Sequence, residues 1–245
     1  MKERRAGLPP LSGATLPTPE APGCTLAAIG SPKWRFLVPS RRGRSRHWGA
    51  VYGRRSEDLS WHRAHLETSL ALVEAVGGRA VLDAGGGDST LAEDLLARGY
   101  RRVHVVDIAA PALERMTARA ARLGGAAAGL SVQCGDITVI ELPAAAFDVW
   151  HDRALFHFLR TPEQRQAYVG QMIHALRPGG HAVLGVFAVD GPTRCSGLDV
   201  ERYDAATLSG ALGGSFELIE SIAEVHHTPA GAKQSFQYCR FRRKP

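Results

Sequence analysis

Between residues 79 and 189, strand-sized apolar runs alternate with amphipathic stretches over short connections. That alternation limits the fold more than any other feature of the chain. Buried strands are predicted at 79–83, 102–107, 130–134, 147–151 and 181–189, and helices at 57–76, 89–98, 111–123, 161–176 and 204–212. The helix at 161–176 has the clearest start, with Thr161 at the cap, Pro162 in the first turn and Gln164 at the capping-box position. Segments 216–226 and 234–241 read as a closing antiparallel pair around a turn at 228–231. Strands alternating with helices predict a doubly wound, mostly parallel α/β sheet covered on both faces. In such sheets ligands sit beyond the carboxyl ends of the strands, where the strand order reverses.

Composition narrows the function classes. The formal net charge is +6, but residues 1–47 hold nine basic and two acidic groups, so 48–245 carries 21 basic against 22 acidic. A near-neutral domain argues against a nucleic-acid face. Residues 1–47 also contain seven of the 14 prolines and lack a hydrophobic period, so they read as a disordered basic leader. Their apolar stretch is too short and too late for a secretory signal, and their prolines forbid an amphipathic transit helix. No run reaches the length of a spanning helix, so no membrane association is expected. The four cysteines, Cys24, Cys134, Cys195 and Cys239, show neither C-x-x-C pairs nor zinc-ligand spacing. They read as reduced thiols of a cytoplasmic protein.

The first strand of the alternation runs into Asp83-Ala84-Gly85-Gly86-Gly87-Asp88-Ser89. Glycines there let a ligand approach the backbone. Gly85 and Gly87 supply half of a dinucleotide fingerprint, but Thr90 stands where the third glycine belongs. Asp83 and Asp88 would oppose a pyrophosphate, so the loop suits a cationic ligand without phosphates. The second strand ends at Asp107, 20 residues after Gly87, the distance expected of an acid that grips a ribose diol. After the third strand, Asp136 is placed to accept from an adenine amino group, with Ile108 and Ile137 flanking the ring.

These segments together resemble the class I S-adenosylmethionine (SAM)-dependent methyltransferases, and in particular a group of small stand-alone bacterial ones. The resemblance rests on LDAGGGDS at 82–89, VVDIA at 105–109, CGDI at 134–137, FDVWHDRALFHFL at 147–159, LRPGGHAVLGVF at 176–187 and an entry segment at 48–70. It implies one Rossmann-like domain over 48–245, with a seven-stranded sheet and a C-terminal antiparallel hairpin. It further implies S-adenosyl-L-methionine as cofactor. Asp83, Gly85 and Gly87 would cradle its methionine part, with Gly86 also at the cofactor; Asp107 would bind the ribose hydroxyls, Asp136 and Ile137 the adenine, and Asp152 would stand beside the methionine ammonium.

Acceptor contacts are expected at the end of the fourth strand. His151 is a candidate general base, because histidine as a residue type titrates near neutrality. Asp152 stands beside it, and period 2 leaves open which of the two faces the ligand. Arg153 either clamps an acidic acceptor or pairs with Asp152, and His157 reads as structural. The stretch 190–197 reads as a loop over the acceptor, with Arg194, Cys195 and Ser196 as lining residues; Asp88 reads as solvated. Trp48, Tyr52, Trp61 and His62 form either a lid or an anchor for the first helix. The expected acceptor is a small molecule. A protein lysine, or a nicotinamide-dependent dehydrogenase on the same kind of sheet, are the alternatives.

Overall fold

The computed structural model describes residues 41–245. Seven strands form one sheet: β1 (Ala80–Ala84), β2 (Arg102–Asp107), β3 (Leu130–Cys134), β4 (Phe147–Arg153), β5 (Leu176–Phe187), β8 (Phe216–His227) and β9 (Lys233–Arg243). Their order is β3-β2-β1-β4-β5-β9-β8. The first five are mutually parallel, and β9 lies antiparallel between β5 and β8. The order reverses between β1 and β4, which opens a crevice at their carboxyl ends.

Period 2 along the central strands divides the core. Leu82, Ala84, Trp150, Leu184 and Val186 face one way, onto α5 (Pro162–Ala175) and α6 (Ala205–Leu212). Val81, Val149 and Val183 face the other way, onto α2 (Glu67–Glu74), α3 (Leu91–Ala97) and α4 (Ala110–Ala120). Each large apolar side chain so buried contributes about 1.5–3 kcal/mol. Helix α5 starts as its sequence dictates. The Thr161 side chain accepts from the Gln164 amide, and the Gln164 side chain accepts from the Thr161 amide.

Three sequence expectations are corrected. Segment 57–76 is helical only at Ser56–Asp58, as one 3-10 turn, and again at Glu67–Glu74. Between them the carbonyls of Ser60 and Trp61 accept from His226 and Arg153, so they do not serve a helical ladder. The stretch 190–197 is not a plain loop. Arg194–Cys195 (β6) and Leu198–Asp199 (β7) pair as a tight hairpin over Ser196 and Gly197, both at positive φ. Finally, α1 (Arg41–Val51) runs across residue 47, so 41–47 are helical; residues 1–40, with Cys24, lie outside the described residues. Among the described residues Cys195 and Cys239 are free, and no helix is long and apolar enough to cross a membrane.

Trp150 Nε1 donates to the Tyr168 hydroxyl (2.7 Å), and that hydroxyl donates to Asp152 Oδ2, all fully buried. Burial outweighs these bonds and pushes the Asp152 carboxyl up to about 6. Tyr168→Phe leaves the indole N–H without its acceptor and the carboxylate one donor short. We expect a loss of about 1–3 kcal/mol, read as a lower urea midpoint at unchanged slope.

Candidate functional site

The crevice at the β1/β4 crossover is a cavity whose wall includes Asp83, Gly85, Gly86, Asp107, Ile108, Asp136, Ile137, His151 and Arg153. The three acids that sequence reasoning singled out therefore meet in one place. Each arrives there for a local reason.

Asp83 stands opposite His151 in the β1/β4 register, on the same face of the sheet. His151 Nδ1 lies 2.7 Å from Asp83 Oδ1, and Nε2 lies 2.9 Å from the Ser69 hydroxyl of α2. All three residues are buried. The ring bridges the carboxylate of β1 and the hydroxyl of α2. Both ring nitrogens are thus engaged within the protein. Asp83 Oδ2 is buried and has no hydrogen-bond partner among the described residues. An unpaired carboxylate oxygen in this position costs several kcal/mol unless a ligand satisfies it.

The loop after β1 has room for glycine alone. A Cβ at Gly85 would fall 2.5 Å from Leu155 Cδ1, and one at Gly86 would fall 2.5 Å from Asp83 Oδ2. Gly87 has φ +56°, and a Cβ there would collide with the Tyr52 hydroxyl. Gly87 does not form part of the wall itself; its amide donates to Asp107 Oδ2 at 2.9 Å, while Ala109 donates to Oδ1 at 2.8 Å. Burial drives the Asp107 carboxyl up to about 6 against these two bonds.

Asp136 is held by the Thr138 amide and hydroxyl and by Arg44 of α1. Burial pushes its carboxyl up, but the Thr138 and Arg44 bonds outweigh it and hold it below the ordinary range. Asp88, expected in solvent, is buried; Arg115 and the Ser56 hydroxyl take its charge.

Asp152, expected among the ligand contacts, is turned to the other face of the sheet. Its oxygens accept from the amides of Leu155 (2.9 Å) and Phe156 (3.0 Å) and from Tyr168. Period 2 separates the two neighbours, and it is His151 that faces the cavity. Asp152 thus staples the turn that follows β4, where Ala154 adopts φ +70°. Arg153 does not pair with it. Its Nε donates to the Tyr238 hydroxyl and Nη1 to the Trp61 carbonyl, both at 3.0 Å. His157 is fully buried and packs against Phe158 and Phe187.

Trp48, Tyr52 and Trp61 contact one another edge-on or tilted and line the cavity, as Cys195 does. They serve as wall and anchor together, since Tyr52 and Trp48 also pack on α4 through Ala109 and Ala112. Burial raises the Cys195 thiol to about 11, so it is protonated. Arg194 and Ser196 are outside the wall; Arg194 pairs with Asp199. Sequence reasoning missed Ser69, Arg44 and Tyr238. Arg44 was hidden in the stretch assigned to the leader, and Tyr238 comes from the far hairpin, with no local signal.

Residues 81–180 match a family model described as a methyltransferase domain. Among curated proteins none matches. Solved structures share the fold. The 1,6-didemethyltoxoflavin-N1-methyltransferase of Burkholderia thailandensis, solved with 1,6-didemethyltoxoflavin and S-adenosylhomocysteine, is 22% identical. It superposes with a TM-score of 0.68 over 87% of this chain and 93% of its own. The N-methyltransferase NodS of Bradyrhizobium japonicum WM9 is also 22% identical, with a TM-score of 0.58 over 73% of this chain and 96% of its own. A cationic adenosine cofactor matches what the cavity offers: an unpartnered carboxylate oxygen beside a glycine turn and two further acids at successive strand ends. Residues 81–180 thus carry a methyltransferase domain, in the Rossmann-like fold shared with S-adenosylmethionine-dependent methyltransferases of known structure.

Proposed function

We propose that this cavity delivers the methyl group of SAM to a small-molecule acceptor by direct in-line displacement. The observation that carries the reading is Asp83 Oδ2, buried and unpartnered beside a glycine-only turn. That oxygen suits the methionine ammonium. SAM itself supplies a methyl group already activated by its sulfonium centre. The protein therefore needs to align the acceptor lone pair and keep water out.

The residues divide that work. His151 and Ser69 hold Asp83 in one orientation, so the ring positions the carboxylate and takes no proton from the acceptor. Gly85 and Gly86 leave the methionine part room against the backbone. Asp107 uses its remaining lone pairs on the ribose hydroxyls, and Ile108, Asp136 and Ile137 form the adenine wall. The aromatic side chains of Trp48, Tyr52 and Trp61 exclude water from the reacting end. A small-molecule acceptor is supported by the Burkholderia enzyme, which binds 1,6-didemethyltoxoflavin in a related fold. Free thiols at Cys195 and Cys239 suit a reducing cytoplasm.

Two measurements test the cofactor reading. Asp83→Asn removes the ammonium partner. We expect S-adenosylhomocysteine affinity, by calorimetry, to fall about 10- to 100-fold. Unchanged binding would falsify the assignment. The second is a pH series. The ribose hydroxyls call for ionised Asp107, whose carboxyl titrates at about 6 in the free protein. Affinity should be flat above that pH and decline below it by at most about tenfold per unit. Asp107→Asn should flatten the profile.

A further inference from the structure

The cavity is electrically divided. Every carboxylate in its wall, Asp83, Asp88, Asp107 and Asp136, comes from the end of β1, β2 or β3 or the loop beyond. From the end of β4 on, the wall carries one cation, Arg153, with Gln164 and otherwise apolar groups and the Cys195 thiol. Three arginines line the cavity. Arg44 is paired with Asp136 and Arg63 with Glu224, but Arg153 has no carboxylate partner among the described residues.

Arg153 is nevertheless held in a built socket. Its Nε and Nη1 are fixed by Tyr238 and the Trp61 carbonyl, and its guanidinium lies 4.8 Å from the centroid of the Phe236 ring. The register explains the socket: Arg153, Gly185 and Tyr238 form one row across β4, β5 and β9. A Cβ on Gly185 would fall 2.6 Å from the Tyr238 ring, so the missing side chain lets that tyrosine lie across β5 to reach Arg153. Asp152 and Ala154 fix the turn behind it. Nη2 remains buried without a hydrogen-bond partner. The neighbouring His157 is driven down to about 3, by burial first and by Arg153 second, so it adds no charge near neutral pH.

A half-buried, oriented guanidinium with no ion-pair partner and with its Nη2 buried and unpartnered is a costly arrangement unless an anion completes it. Guanidinium geometry fits a carboxylate or phosphate oxygen. We infer that the methyl acceptor is an anionic small molecule whose carboxylate or phosphate is bound by Arg153, across the cavity from the acids that hold SAM. The inference rests on the methyltransferase reading of this same cavity and names the acceptor class within it. A cationic lysine side chain is the wrong partner for this end.

The test separates the two readings. S-adenosylhomocysteine binding to the wild type, by calorimetry, checks the cofactor site independently of any acceptor. A bacterial small-molecule extract is then split on an anion exchanger, and each fraction, together with a bacterial proteome, is offered with methyl-labelled SAM. We expect labelling from the retained fraction. Arg153→Met should reduce it about 10- to 100-fold, with S-adenosylhomocysteine affinity unchanged. Arg153→Lys keeps the charge without the fork and should recover part of the rate, through KM more than kcat. Three results would overturn the inference: labelling confined to the unretained fraction or the proteome, no labelling from any of them, or an Arg153→Met protein that loses S-adenosylhomocysteine instead. Within the retained fraction, phosphatase treatment separates phosphate-bearing from carboxylate-bearing acceptors.

Discussion

The arrangement depends on one buried contact, Asp83 with His151, made where the sheet changes direction. The two side chains are adjacent because β1 and β4 are parallel neighbours in a fixed register. A slip of one residue would send Asp83 to the other face, among Leu82, Ala84 and Trp150. Removing one partner leaves a buried polar group unsatisfied, at a cost of about 1–3 kcal/mol. The histidine occupies one carboxylate oxygen and leaves the other buried without a partner among the described residues. Ser69 completes the chain from α2.

The same economy explains why four acids tolerate one another in a small volume. Asp88 is neutralised by Arg115, Asp136 by Arg44, and Asp107 by two backbone amides together with a carboxyl shifted toward protonation. Only Asp83 is left with an oxygen free. The acidic rim that the sequence suggests is in fact one unsatisfied acceptor among several satisfied ones. Helix α1 takes part directly, because Arg44 and Tyr52 reach the third strand end and the glycine turn.

Much of this was legible in the residues. Strand positions followed from period and composition, and the strand-end acids from their spacing to the glycine loop. The start of α5 followed from three cap residues. What was not legible has physical reasons. Between His151 and Asp152, alternation says that they diverge but not which way, and the tie to Ser69 decides it. Residues 41–47 look like more of the proline-rich leader by charge, yet they are helical, and Arg44 closes on a carboxylate 92 positions away. The 59–66 stretch carries a helical stripe, but its carbonyls are taken by His226 and Arg153.

Gly185 looks in the sequence like an interruption of an apolar strand. In the fold it is the vacancy that Tyr238 fills on its way to Arg153. Positions 153, 185 and 238 are therefore bound into one packing unit. A lineage that exchanged its acceptor for an uncharged one would be free to drop the arginine, shorten the tyrosine and let residue 185 grow. The size of that single residue would then record, across diverging descendants, the charge of the molecule each of them methylates.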